Sequence, residues 1–139
     1  MEALMTTLSL FRRQPDAAVP LDDIESYAEA FEVTSGQVVM QQGEPAGGFF
    51  VVLSGEFVVL LEGGPRPVVL STLGPGACFG ETGLLLTGTH TATVRATTDG
   101  EVVVLTETEL RTILTDAALM NVDLPTAAWA YVSLLEWTA

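Results

Sequence analysis

Gly80-Glu81, Gly83-Leu84 and His90-Thr91 are the residues of this chain whose types and spacing suit chemistry. A glycine leading into a short helical start presents backbone N–H groups with no intrahelical partner, which is one way a protein holds a phosphate. Gly80-Glu81 followed by Thr82-Gly83-Leu84-Leu85-Leu86 is long enough for such a turn and too short for a full helix. Glu81 is an unusual neighbour for an anion unless its carboxylate accepts hydrogen bonds from a sugar hydroxyl beside it. The same residues also read as a glycine-rich turn joining two strands, and spacing alone does not decide between the two. Other phosphate-binding patterns fail. Gly74 and Gly76 open a dinucleotide-type motif, but the third glycine falls one position late at Gly80. A Walker-type loop needs a lysine, and the chain has none.

The elements that must position these residues follow from the rhythm of the chain. Short β-rich runs recur at 37–40, 49–53, 57–61, 68–73, 91–96 and 101–105, separated by turn signals such as Ser54-Gly55, Gly63-Gly64-Pro65 and Gly74-Pro75-Gly76. That spacing indicates a sandwich, jelly roll or barrel. Asp99-Gly100 predicts a hairpin between the last two runs. Leu21, Ile24, Tyr27, Ala28 and Phe31 fall at helical spacing, so two N-terminal helices are expected over 1–31. At the other end, Thr106 and Glu109 form a capping box that starts a helix with Leu110, Ile113 and Leu114 inward. A final helix begins near Asp123-Leu124-Pro125 and runs towards Trp137, apolar almost all round. We therefore expect one domain over 1–139: helices over 1–31, β-structure over 33–105 and helices over 106–138. The apolar last helix must either fold back on its own β-core or be shared with a partner, and a homodimer formed through it is expected.

Composition excludes several functions. With 139 residues and 48% hydrophobic content, the chain suffices for one packed core. Five basic residues against 18 acidic ones give a net charge of −13, which repels nucleic acid and anionic membranes. No apolar run is long enough to span a bilayer, and a single cysteine, Cys78, suits a reducing cytoplasm. Cys78 is expected to be a small apolar residue, and one histidine makes neither a metal centre nor a nucleophile pair. No enzyme, metal or cofactor is expected.

In order along the chain, Gly36-Gln-Val-Val, Gln42-Gly43-Glu44, Phe49-Phe-Val-Val-Leu-Ser-Gly55, Leu73-Gly-Pro-Gly-Ala-Cys-Phe-Gly-Glu81, Ala92-Thr-Val-Arg-Ala96 and Glu101-Val-Val-Val-Leu105 resemble the cyclic-nucleotide-binding domains of catabolite-activator-type regulators and cAMP-dependent protein kinase regulatory subunits. The resemblance runs from about Phe31 to Leu114 and implies a mainly β fold, a β-roll or double-stranded jelly roll flanked by helices. It implies a regulatory module for cAMP or cGMP, with a site made of Phe79, Gly80, Glu81, Gly83, Leu84, His90 and Thr91. Glu81 would hold the ribose 2′-hydroxyl, the N–H groups at Gly83 and Leu84 would face sugar and phosphate, and Thr91 would reach a phosphate oxygen. One position departs. His90 stands where the family carries its phosphate-pairing arginine, so cyclic nucleotide, or another small anion, is expected to bind weakly or not at all. Arg95, five positions on, is expected on the opposite face of its strand, and Arg66 lies on a remote hairpin. A ligand-free interaction module with a degenerate pocket is the alternative.

Overall fold

The computed structural model describes residues 29–134. Among the described residues, eight strands form two antiparallel sheets. The first has the order β1-β8-β3-β6, with β1 Glu29–Val33, β8 Gly100–Leu105, β3 Phe49–Ser54 and β6 Cys78–Phe79. The second has the order β2-β7-β4-β5, with β2 Val38–Met40, β7 Thr93–Ala96, β4 Phe57–Leu61 and β5 Val68–Leu73. Helices α1 (Glu107–Met120) and α2 (Leu124–Leu134) follow the roll. The expected N-terminal helices and the residues beyond Leu134 lie outside the described residues.

The unbroken apolar run of β3 reflects burial on both faces. Successive side chains of a strand point to opposite sides. Phe50 and Val52 enter the roll interior with Phe57, Phe79, Val94, Ala96 and Val102. Phe49 and Val51 turn outward, with Val103 and Leu105, onto Leu110 and Ile113 of α1 and Ala128 and Val132 of α2. The first sheet is thus the middle layer between the roll and the helices. Full burial of a Phe or Val side chain contributes roughly 1.5–3 kcal/mol, so this layer anchors the fold.

Two expectations need correction. Residues 29–33 are strand, not the end of a helix, because Ala30 and Val33 fill both cores while the backbone pairs with β8 from Glu29↔Val104 to Val33↔Gly100. Asp99-Gly100 is not a hairpin turn, since β7 pairs with β2 and β4 while β8 pairs with β1 and β3. It is the corner where the chain crosses between sheets. Asp99 Oδ1 accepts from the Ser35 N–H at 2.8 Å, and a Cβ on Gly100 would collide with the Ser54 carbonyl oxygen and lie 2.9 Å from the Gly55 Cα. Gly100 is required by close approach of another backbone, not by a positive φ. The last helix starts where expected, and α2 buries Ala127, Ala128 and Val132, whereas Leu134 is exposed.

The capping box is present: Thr106 Oγ1 accepts from the Glu109 N–H at 3.1 Å, and Glu109 Oε1 accepts from the Thr106 N–H at 3.0 Å. Glu109 is buried, and its other oxygen accepts from the Tyr131 hydroxyl at 2.8 Å. One carboxylate therefore starts α1 and ties α2 to it.

Candidate functional site

β6 delivers the chain to the site. Phe79 pairs with Phe50 in the sheet and stacks on its ring at 4.8 Å, which fixes where the following residue emerges. That residue, Gly80, has φ +98°, and a Cβ there would lie 2.9 Å from the Gly48 carbonyl oxygen. Only glycine meets both demands. A helical turn follows at once: Glu81 and Thr82 start it and Gly83–Thr87 widens to a π turn, closed by Gly88 at φ +79° with its N–H donating to the Gly83 carbonyl at 2.8 Å. Gly83 packs so closely on the Thr89 carbonyl that a Cβ would lie 2.9 Å from its oxygen.

His90 is placed by backbone pairing. Its N–H donates to the Glu44 carbonyl at 2.9 Å, and its own carbonyl accepts from the Gly43 N–H at 2.9 Å. Three residues further, Thr93 Oγ1 accepts from the Gln42 N–H and donates to Glu62 Oε1, both at 3.0 Å, which clips the loop after β2 to the end of β4.

These elements enclose a cleft of about 210 Å3. Of the residues expected at the site, Phe79, Gly80, Glu81, Gly83, His90 and Thr91 line it. Leu84 is not among the lining residues. Its N–H donates to the Gly80 carbonyl at 3.3 Å and its side chain, with Leu85, packs on the core beneath α1 and α2. The second sheet adds Met40, Val59, Ser71, Leu73 and Val94, and Thr82 adds a hydroxyl. None of these was foreseen. The signal for Val59 and Ser71 was the alternation along β4 and β5, where the two are cross-strand partners.

Electrostatically the cleft carries one carboxylate, Glu81, and no lysine or arginine among its described lining. Arg66 and Arg95 are exposed and lie outside it. His90 is only 8% exposed, and its Nδ1 is buried without a hydrogen-bond partner. Burial holds its imidazole below the usual histidine range, against an opposing pull from Glu44. Geometry gives the same answer independently: a charged imidazole carries a proton on both nitrogens, and the one on Nδ1 would have no acceptor. His90 is therefore a neutral group. Cys78 also lines the cleft, and burial, then Glu81, then Asp123, push its thiol up to about 12. It is a protonated apolar residue, not a nucleophile. The described residues contain no group of three metal-ligating side chains.

Residues 30–117 match the family described as cyclic nucleotide-binding domain, well over half of the chain. The chain belongs to the cyclic nucleotide-binding domain family. A cGMP-dependent protein kinase of Plasmodium berghei is 34% identical over 77 residues, covering 55% of this chain and 8% of the kinase. Among solved structures, the Thermus thermophilus catabolite activator protein superposes with a TM-score of 0.59 at 23% identity, over 76% of this chain and 48% of that one. A Trypanosoma brucei regulatory subunit of a cAMP-independent protein kinase A superposes with a TM-score of 0.54 at 21% identity, over 57% of this chain and 29% of that one. That structure is a triple variant, one of whose changes introduces an arginine, with cAMP bound. The β-roll with its C-terminal helices is the fold these proteins share with this cyclic nucleotide-binding domain. No helix among the described residues is long and apolar enough to cross a membrane.

Proposed function

We propose that this domain is a regulatory small-molecule sensor whose affinity for cAMP and cGMP is weakened because His90 replaces the phosphate-pairing arginine. The observation that carries the reading is a family cleft that keeps Glu81 and the Gly80 turn while its described lining holds no permanent cation. A charge-assisted hydrogen bond is worth about 1.5–3 kcal/mol, so its loss lowers affinity by roughly 10- to 100-fold. The Trypanosoma structure supports the same logic, since a protein called cAMP-independent holds cAMP in a variant that gains an arginine.

Output would pass through the helical turn at 81–87. Glu81 and Gly83 touch the cleft and Leu84 and Leu85 touch the core under α1 and α2, so a ligand that repositions the turn shifts the packing of both helices. The outer side of those helices exposes Leu119, Met120, Trp129 and Leu134, which favours a homodimer through α2. The single cysteine and acidic surface suit the cytoplasm. The test is calorimetric titration of cAMP and cGMP into the natural protein and His90→Arg. The variant is expected to bind at least 10-fold tighter. Natural protein that binds as tightly as the variant would sink the proposal.

A further inference from the structure

We infer that the cleft selects an uncharged, ribose-bearing ligand, a ribonucleoside, over the phosphorylated form of the same molecule. The inference rests on the sensor reading above and names the ligand class of that site. Charge is the first argument. Among the described lining the acidic side chain is Glu81, and the candidate cation, His90, is shielded at Nδ1 with no acceptor for a second proton. Arg66 and Arg95 stand outside in solvent, and Arg111 is engaged by Glu107 at 2.7 Å. A phosphodiester brought here would lose its hydration, meet a like charge and gain no counter-ion from the described lining. The −13 charge of the chain opposes its approach as well.

The remaining polar groups favour hydroxyls. Glu81 makes no side-chain hydrogen bond of its own to another described residue, and its carboxylate accepts from a vicinal diol without desolvating a second charge. Ser71, Thr82 and Thr91 each both donate and accept, as sugar hydroxyls do. Met40, Val59, Leu73 and Phe79, in the same lining, supply the apolar surface that takes the flat face of a base. Size is an independent argument. At about 210 Å3 the cleft is below the roughly 300–1,000 Å3 of sites that engulf drug-sized ligands, and a nucleoside asks for less room than its phosphate.

The experiment is calorimetry on the 139-residue chain at neutral pH with a panel: adenosine, guanosine, inosine, cytidine and uridine, then cAMP, cGMP and free ribose. At least one nucleoside is expected to bind tenfold or more tightly than any cyclic nucleotide, and more tightly than ribose. A cyclic nucleotide that binds equally or better overturns the inference and leaves the sensor reading standing, provided His90→Arg tightens it further. Ribose binding as well as the best nucleoside removes the base from the proposal and so overturns it. No heat from the whole panel, with the natural chain and with His90→Arg, overturns both readings together. Glu81→Gln supplies a second readout. It is expected to weaken the nucleoside and narrow its advantage over the cyclic phosphate at least threefold, whereas a purely structural role for Glu81 would weaken both alike and leave the ratio unchanged.

Discussion

Removal of the Glu109 carboxylate is expected to loosen both C-terminal helices at once. Oε1 accepts from the Thr106 N–H and hydroxyl at 3.0 and 3.2 Å, while Oε2 accepts from the Tyr131 hydroxyl at 2.8 Å. Glu109→Ala deletes the capping-box partner of α1 and leaves a half-buried phenol without this acceptor. Hydrogen bonds to a charged group are worth about 1.5–3 kcal/mol and a cap about 1 kcal/mol. The shared carboxylate makes these costs overlap, so we expect a loss of about 2–4 kcal/mol. For a domain of this size that lowers Tm by roughly 6–16 °C. Tyr131→Phe removes one of the donors and is expected to cost about 1–2 kcal/mol. The decisive quantity is the coupling in a double-mutant cycle, read from urea unfolding of the natural chain, both single variants and the double. We expect about 1–2 kcal/mol of coupling between Glu109 and Tyr131, and little between Thr106→Ala and Tyr131→Phe. Coupling below about 0.5 kcal/mol would refute the reasoning, and would mean that Ala127, Ala128 and Val132 hold α2 by packing alone.

Three further outcomes are accessible. Glu101 sits directly opposite Glu32 across β1 and β8, and burial, then that neighbour, hold its carboxyl above the usual carboxylate range. The folded state therefore binds the extra proton, and stability falls as pH rises from the ordinary carboxylate pKa through the raised one. Glu101→Gln should flatten that fall and raise Tm at neutral pH while leaving it unchanged under acid conditions, as thermal melts across pH would show. Gly100→Ala presses a methyl onto the Ser54 and Gly55 backbone, where Gly88→Ala meets only open space at φ +79°. We expect a cost of about 2–3 kcal/mol for the first and about 1–2 kcal/mol for the second, and the reverse ranking in denaturant unfolding would contradict the corner assignment. Sedimentation should show Trp129→Glu and Leu134→Glu as monomers if α2 joins two copies; a natural chain that is already monomeric would end the dimer proposal.

What was legible in the sequence is what is locally determined. The Thr106–Glu109 box lies within four residues, and both of its bonds form as the pattern predicts. Six of the eight strands fall on the predicted runs to within two residues, because turn residues punctuate them. The two missing strands are those that only distant partners define. β1 is strand because β8 lies beside it, although its apolar residues continue a helical spacing, and β6 is two residues long. The Asp99-Gly100 corner fails for the same reason, since a turn signal reports a change of direction and not which sheet receives the next strand. At the site, the Gly80 and Gly83 positions were readable because glycine there answers a backbone demand. The contribution of Ser71, Val59 and Leu73 was not, because it depends on how the second sheet folds over the first.

Leu84 shows what the structure adds to a motif. By resemblance it belonged with the ligand groups; in three dimensions it faces the helices. The turn from Glu81 to Thr87 therefore has one side on the cleft and one on the α1–α2 core. An α-helical turn from Gly83 would bond its carbonyl four residues on, at Thr87; here the bond reaches five residues on, to the Gly88 N–H at 2.8 Å. Leu84 and Leu85 pack on the α1–α2 core while Gly83 stays against the Thr89 carbonyl. On the proposed sensor reading, this turn is the element that links cleft to helices. Leu85→Ala then provides its measure: ligand affinity should be nearly unchanged while the ligand-dependent change in the Trp129 environment is lost. If affinity and fluorescence response fall together, the turn is only a wall of the cleft.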